Sequence, residues 1–410
     1  MKKLLLVLLI LSLFINHLNA NEKDLQIIQK DKKEYRLLDK ESIQTRQQSQ
    51  KYDWISPIDL SGNIGRNHSF SDESSRNLNN KNTKSASIGF TQSIFESGGI
   101  GFKMDYADNR FKYEMLSWEN QNSQLIYTIY NTLLDIKKLK LEINQNDYRI
   151  VNKDIELIIK KIQYEAGKTD IIELNNAIMS KNLILKEEIA LKNSLKEKEQ
   201  ELAKYTDLKY DEIEILDFQE TNKDIFLDKN YSILEADAKV EMLNSEYKIK
   251  KSQYLPKLSL SAKASYSNQD EKFNSMINDT NKDDATSSGS LILSMPLYDY
   301  TKSSKVQESK IEVLKQKSLV NDLKNEAAYE YEQIFTKIDT YLKQNETINK
   351  NIKLYEELIG ANKISSEAGM TSKYDLEILE NTKTINEFDI LINKINILQQ
   401  YAKLYFKIKN

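Results

Sequence analysis

Residues 257–267 alternate without a break. Leu258, Leu260, Ala262, Ala264 and Tyr266 fall on one side of an extended chain, and Ser259, Ser261, Lys263, Ser265 and Ser267 fall on the other. A period of two over this length predicts a strand. A second run, 288–297, sets Gly289, Leu291, Leu293, Met295 and Leu297 against Ser290, Ile292 and Ser294, and the polar stretch Asn268 to Ser287 is expected to be the loop between them. The amino-terminal half repeats the plan. Ile58, Leu60, Gly62 and Ile64 alternate with Asp59, Ser61, Asn63 and Gly65, and after a polar loop from about Ser71 to Lys84, Ala86, Ile88, Phe90 and Ile94 alternate with Ser85, Ser87, Gly89, Thr91 and Ser93. Two hairpins are therefore expected, over about 57–103 and 257–298.

Everything else reads as helix. The stretches of about 104–164, 170–208, 224–255, 300–366 and 372–408 contain no proline and are rich in Leu, Ile, Lys, Glu, Asn and Gln. Leu125, Ile129, Thr132, Leu133, Ile136 and Leu139 recur at spacings of three and four, which marks a one-sided helix. The longest stretch, about 66 residues, would extend roughly 100 Å. No globule hides the polar face of such a helix, so a coiled-coil-like bundle is expected, with Lys and Glu solvated outside. The Lys/Glu runs at 192–204 fit such a face.

Three markers of different kinds show the halves to be copies. Glu165-Ala166-Gly167 recurs as Glu367-Ala368-Gly369, Pro57 corresponds to Pro256, and Ser93-Ile94-Phe95-Glu96 corresponds to Pro296-Leu297-Tyr298-Asp299, with offsets of 202, 199 and 203 residues. The organisation expected is a leader over 1–20, a first repeat over 21–210 and a second over 211–410. Each repeat runs helix, strand, loop, strand, long helix, Gly turn, helix. The leader reads from the cationic start Met1-Lys2-Lys3, the apolar run Leu4 to Ile15 and the small residue Ala20, the pattern of a secretory signal.

Composition narrows the function. The chain has 410 residues, no cysteine, two histidines, ten glycines and three prolines, too few turn residues for an ordinary α/β enzyme or β-sandwich. Catalytic residues, a cofactor and a metal site are accordingly not expected. The net charge of −3 gives no global attraction to nucleic acid. Four strands with one apolar and one small-polar face, in an exported chain, fit a wall between lipid and a wet lumen. Leu258, Leu260, Leu291 and Leu293 would face the lipid. The alternative is an exported soluble coiled-coil scaffold or adaptor, with the hairpins in water and no channel.

The sequence resembles the TolC-type outer membrane efflux proteins. The matching residues are Tyr254-Leu255-Pro256 before the Leu-Ser-Leu strand, the stretch Ile94-Phe95-Glu96-Ser97-Gly98-Gly99 with its degenerate copy at 296–299, and two helix tips. The tips are Tyr164-Glu165-Ala166-Gly167-Lys168-Thr169, followed by Ile172-Glu173-Leu174 and Ala177, and Ser366-Glu367-Ala368-Gly369-Met370-Thr371, followed by Tyr374-Asp375-Leu376. The resemblance runs from about residue 30 to the carboxyl terminus. It implies a mainly α protein with a small β part: a homotrimer with an α-helical tunnel in the periplasm and a twelve-stranded outer membrane β-barrel, four strands per chain. It further implies a passive exit duct working with a periplasmic adaptor and an inner-membrane pump, in efflux or type I secretion. By the same resemblance, Asp375 and Glu173 would line the periplasmic aperture, and Gly167, Thr169, Gly369 and Thr371 would shape the surface that meets the adaptor. Thr371 stands where some members carry an arginine that ties the aperture shut, so different closing contacts are expected. Both tip glycines are expected to be left-handed helix terminators. Tyr52 and Trp54, before the first strand, suit a membrane interface or a buried junction equally.

Overall fold

A computed structural model describes residues 25–69, 79–216, 218, 220–272, 280–367 and 372–409. The leader assigned to 1–20 lies outside the described residues. After a short 3₁₀ turn at Leu25–Ile27 the elements are α1 (Lys30–Tyr52), β1 (Asp59–Ser69), β2 (Asn79–Phe95), α2 (Gly99–Glu165), α3 (Ile171–Ala203), α4 (Lys223–Asp228), α5 (Tyr231–Ser252), β3 (Lys257–Lys272), β4 (Thr280–Ser294), α6 (Lys302–Glu367) and α7 (Lys373–Lys407). The fold class read from the sequence holds: long helices and one small antiparallel sheet. The chain divides into two compact units, and each draws on both sequence halves. One comprises Glu41–Met115 and Ala236–Val320; the other comprises the described part of Met1–Lys40, with Leu116–Glu235 and Asn321–Asn410.

The first of these units contains the sheet, with strand order β1-β2-β3-β4. The strands are longer than their alternation suggested. β3 continues to Lys272 and β4 starts at Thr280, so the loop expected over 268–287 is mostly paired strand. β2 likewise begins at Asn79, inside the loop expected to end at Lys84. The ladder is made by backbone groups, which pair through polar residues as readily as apolar ones once the register is set. At the other end β4 stops at Ser294, short of Leu297, because Pro296 has no N–H to donate.

The turn from β2 into α2 is built locally. Ser97 and Gly98 have φ of 50° and 88°, and the Gly99 N–H donates to the Glu96 carbonyl at 2.9 Å. The Ser97 hydroxyl donates to the Pro256 carbonyl at 2.7 Å, fastening this turn to the start of β3. Buried Glu96 pairs with Lys103 at 2.9 Å. Burial opposes its ionisation, but hydrogen bonds from Lys103 and Ser93, with the positive charges of Lys103 and Lys257, outweigh that and hold the carboxyl below its usual range. A side chain at Gly99 would meet the Ser252 hydroxyl at 2.8 Å, so this position accepts only glycine without displacement.

The second unit packs helix on helix. On α2, Ile129, Thr132, Leu133 and Ile136 of the expected stripe are buried, but so are Ile126, Tyr130 and Leu134. This helix therefore contacts neighbours around much of its girth rather than along one stripe. Phe226, Ile233, Ala327, Ile334, Ile338, Leu404 and Ile408 form one core cluster. Beside it Tyr130 stacks on Phe406 and meets Phe218 edge-on, with ring centres 5.5 and 5.9 Å apart. The single helix expected over 224–255 is instead α4 and α5, broken at Lys229-Asn230. Asn230 bridges to Ile408, its side chain accepts from the Ser232 N–H at 3.0 Å, and the Lys409 N–H donates to the Lys229 carbonyl at 2.8 Å. The carboxyl-terminal strand segment thus replaces the helical bonds that the break gives up. α3 also ends early, at Ala203 rather than near 208, where Thr206 takes over the local hydrogen bonding by accepting from the Leu208 N–H.

Candidate functional site

The sheet has two chemically distinct faces, and the register shows how complete each is. Row by row along one face lie Phe95, Leu258 and Leu293; Gln92, Leu260 and Leu291; Phe90, Ala262 and Gly289; Leu60, Ile88, Ala264 and Ser287; and Gly62, Ala86, Tyr266 and Ala285. All four residues singled out from the alternation share this face. Leu260, Leu291 and Leu293 are 39%, 66% and 73% exposed, Leu258 is half-buried, and Leu60 on the edge strand is 78% exposed. The other face carries a hydroxyl ladder that crosses every strand pair. Ser61 pairs with Ser87 at 2.8 Å, Thr91 with Ser261 at 3.0 Å, Ser93 with Ser259 at 3.3 Å and Ser265 with Thr286 at 2.8 Å. Cross-strand hydroxyl pairs of this kind satisfy one another while leaving lone pairs for water.

Two residues break the pattern for local reasons. Gln92 sits in an apolar row, where its amide donates to the Trp54 carbonyl and accepts from the Ser56 N–H, both at 2.9 Å. It pins the chain entering β1, a role that no sequence pattern reveals. A bulge between Ser93 and Phe95 shifts Phe95 onto the apolar face opposite Leu258. Trp54 is half-buried and Tyr52 exposed. The side chain of His68, one of the two histidines, lies outside the described residues.

β1 and β4 are the two edges of this sheet, and among the described residues neither has a partner on its outer side. The flanking stretches expose Ile55, Ile58, Leu297, Tyr298 and Tyr300.

The helix tips belong to the other unit. Gly167 has φ of 69°; its N–H donates to the Tyr164 carbonyl at 2.9 Å and the Lys168 N–H to the Gln163 carbonyl at 2.8 Å. This is the paired-bond helix ending that requires a left-handed residue, as expected for this glycine. Thr169 is half-buried. Asp170 caps α3 by accepting the Glu173 N–H at 2.9 Å, and the Glu173 carboxylate accepts from Lys160 at 3.0 Å. Gly369 and Thr371 lie outside the described residues. The second tip resumes at Ser372, which occupies the place of Asp170. Its hydroxyl accepts the Tyr374 N–H at 3.2 Å, and the Asp375 carboxylate accepts the Ser372 N–H at 3.3 Å. Glu173 and Asp375 thus occupy the third position of the first turn of α3 and α7, where an acid favours the helix start. The Asp-x-x-Glu and Ser-x-x-Asp spacings are the sequence signal for these caps.

Above the tips a polar seam joins α2 to its neighbours. Gln145 donates to the Ile385 carbonyl at 2.9 Å and to Asp389 at 2.7 Å. Asn381 donates to Asn152 at 2.9 Å, Gln399 to Asp135 at 2.7 Å and Asn393 of α7 to Asn345 of α6 at 2.9 Å. Buried and half-buried amides matched this way fix helix register, because a slip of one turn would strand several of them. Among the described residues no cluster has the makings of a metal site, and no helix is long and apolar enough to cross a membrane.

Long helical hairpins and a four-stranded sheet with one apolar and one hydroxyl face are features this chain shares with known proteins. Residues 224–403 match the family described as "Outer membrane efflux protein". Solved structures extend the likeness over nearly the whole chain. The outer membrane protein VceC of Vibrio cholerae superposes with a TM-score of 0.72 at 12% identity, covering 94% of this chain and 93% of that one. The CmeC outer membrane channel of Campylobacter jejuni gives 0.67 at 13%, covering 92% and 84%, and the open state of the MtrE outer membrane channel of Neisseria gonorrhoeae gives 0.69 at 11%, covering 94% and 87%. No curated protein matches by sequence. That family match covers less than half of the chain, and the likeness to the solved channels is one of fold.

Proposed function

We propose that three copies of this chain close a twelve-stranded barrel and form the passive exit duct of a tripartite efflux or type I secretion system. The observation that carries the reading is the open sheet: four strands, one exposed apolar face, one hydroxyl face and two free edges. Unpaired backbone groups cost several kcal/mol each in hydrocarbon, so edges in a membrane must close on something. Four strands cannot close on themselves. Two copies would give eight strands, whose interior side chains fill; three give twelve and leave a passage. On this reading Leu258, Leu260, Leu291 and Leu293 face lipid, and the serine and threonine ladder faces water.

At the helix tips, Asp375 and Glu173 ring the aperture in three copies each. Their support is the matching step of six residues after each tip glycine, together with their fixed places in the first turns of α7 and α3. Such a ring favours cations and resists closure through its own repulsion. Gly167, Thr169, Gly369 and Thr371 form the surface for a periplasmic adaptor, which links the duct to an inner-membrane pump that supplies the energy. The chain itself catalyses nothing.

Single-channel recording of the full-length protein in planar bilayers tests the duct. Discrete conductance steps are expected, and Asp375→Ala is expected to raise the conductance or weaken cation preference. Unchanged conductance and selectivity in that variant would remove Asp375 from the aperture. A purified chain that stays monomeric and stable without detergent, and conducts nothing, would instead establish the soluble scaffold.

A further inference from the structure

The apolar face of the sheet ends in a sharply polar margin. Five rows after Phe95–Leu258–Leu293 comes Ile64, Lys84, Asn268 and Asp283, and the row beyond it holds Arg66, Asn82, Asp270 and Asn281. Arg66 lies directly opposite Asn82, and Lys84 is two residues along the same strand and face. Directly opposed residues stand about 5 Å apart at their β-carbons and diagonal ones about 7 Å, so the three side chains can converge on one group. Arg66 and Lys84 are exposed and form no ion pair among the described residues. The acid on Lys84's row, Asp283, is already engaged: it accepts from the Tyr266 hydroxyl at 3.0 Å and from the Asn268 amide at 2.6 Å. Asp270 is the β3 register partner of Asn82.

The position of this margin is fixed by strand geometry. Leu258 and Asn268 are ten residues apart on β3. At about 3.4 Å per residue and a tilt of about 40°, that is about 26 Å along a barrel axis, close to the height of an outward apolar band. The Leu258 row adjoins the helices, which lie on the periplasmic side. The Lys84 row therefore meets the opposite, outward interface. A cation facing lipid costs about 2–4 kcal/mol at mid-membrane but close to nothing at an interface. Two exposed cations and an amide in adjacent rows, beside Asp270 and an Asp283 whose carboxylate is already hydrogen-bonded, close the apolar face at this level.

We infer that Arg66, Asn82 and Lys84 bind the phosphate-bearing headgroup of a lipid in the outward-facing leaflet. The inference rests on the barrel reading proposed above. Arg supplies a planar fork of donors and Lys a mobile point charge, a pairing suited to phosphate oxygens, while the acyl chains lie along Leu60, Ile88 and Ala86 below. The site is a fixture of the channel's outer rim, distinct from the lumen and from the cargo.

Native mass spectrometry of the full-length protein, assembled in neutral detergent with added diphosphorylated lipid A, tests it. The unmodified protein is expected to retain the lipid, and the double variant Arg66→Gln/Lys84→Gln to bind it about thirtyfold more weakly, at about 1 kcal/mol for each cation. The exchange variant Arg66→Lys/Lys84→Arg is expected to restore most of the retention, and lipid A stripped of both phosphates to bind the unmodified protein no better than it binds the double variant. Equal retention by the double variant, or indifference to the phosphates, would overturn the inference. So would disassembly of the double variant before any lipid is added, since the two cations would then serve contacts between copies. Conductance steps from the double variant would show that the duct reading survives such a failure.

Discussion

A methyl group added at Gly167 or at Gly360 would meet nothing within 4 Å, yet the same substitution should move stability in opposite directions at the two sites. Gly167 holds φ at 69°, where a β-carbon costs about 1–2 kcal/mol. Gly360 lies inside α6 in ordinary helical geometry, where alanine is better by about 1 kcal/mol. Thermal unfolding of the assembled protein is expected to show Gly167→Ala destabilised and Gly360→Ala stabilised; the same sign at both would refute the left-handed tip. Glu330 makes a pH-dependent contribution. Burial works against its charge, but hydrogen bonds from Lys403 at 2.8 Å and Lys407 at 2.6 Å prevail and hold its carboxyl below the usual range. Because the folded form releases this proton more readily than the unfolded chain, at about 4.3, its stabilisation is present above that value and disappears as pH falls through the folded pKa. Glu330→Gln should be less stable than the parent at neutral pH, and the gap should close on acidification. A gap that stays constant from pH 7 to pH 3 would show that the two lysines do not act through its charge.

Among the elements, the sheet was legible in its faces but not in its extent. Alternation identified Leu258, Leu260, Leu291 and Leu293 as neighbours because period-two placement follows from strand geometry alone. Strand ends were hidden, since Asn268 to Lys272 and Thr280 to Ser287 are polar and pair through backbone. The break at Lys229-Asn230 was hidden for a related reason: its cause is Ile408, far away in sequence. At the tips the caps were written plainly, in acids and hydroxyls three residues apart, whereas the Lys160–Glu173 pair depends on how α2 meets α3. The face assignment has a direct test. Placing a charged pair at Leu291 and Leu293, as Leu291→Lys with Leu293→Glu, should block assembly in the outer membrane, because each charge would cost up to about 2–4 kcal/mol in lipid. Assembled channels in the outer membrane fraction after that change would mean that the apolar face does not meet lipid.

For the whole molecule the decisive feature is incompleteness. A sheet with free β1 and β4 edges and a face of exposed Leu, Ile and Phe is stable only where both are covered. The proposed trimer covers the edges with other copies and the face with lipid. On electrophoresis in detergent the unheated protein should migrate as three chains and shift to one on boiling; a single-chain position without heating would argue against the closed barrel.

By itself, the sequence determined what is periodic or local: helices without proline, strands with two unlike faces, the glycine that ends α2, the acids that begin α3 and α7, and the recurrence that ties the two halves together. Each of these follows from backbone geometry acting over a few residues. Only the tertiary structure decided how far the strands run, where α5 starts, that Gln92 fastens the entry to β1, and that Arg66, Asn82 and Lys84 come together at one margin of the sheet. Those outcomes depend on pairing between residues distant in the chain, and no local pattern carries the register that brings them side by side.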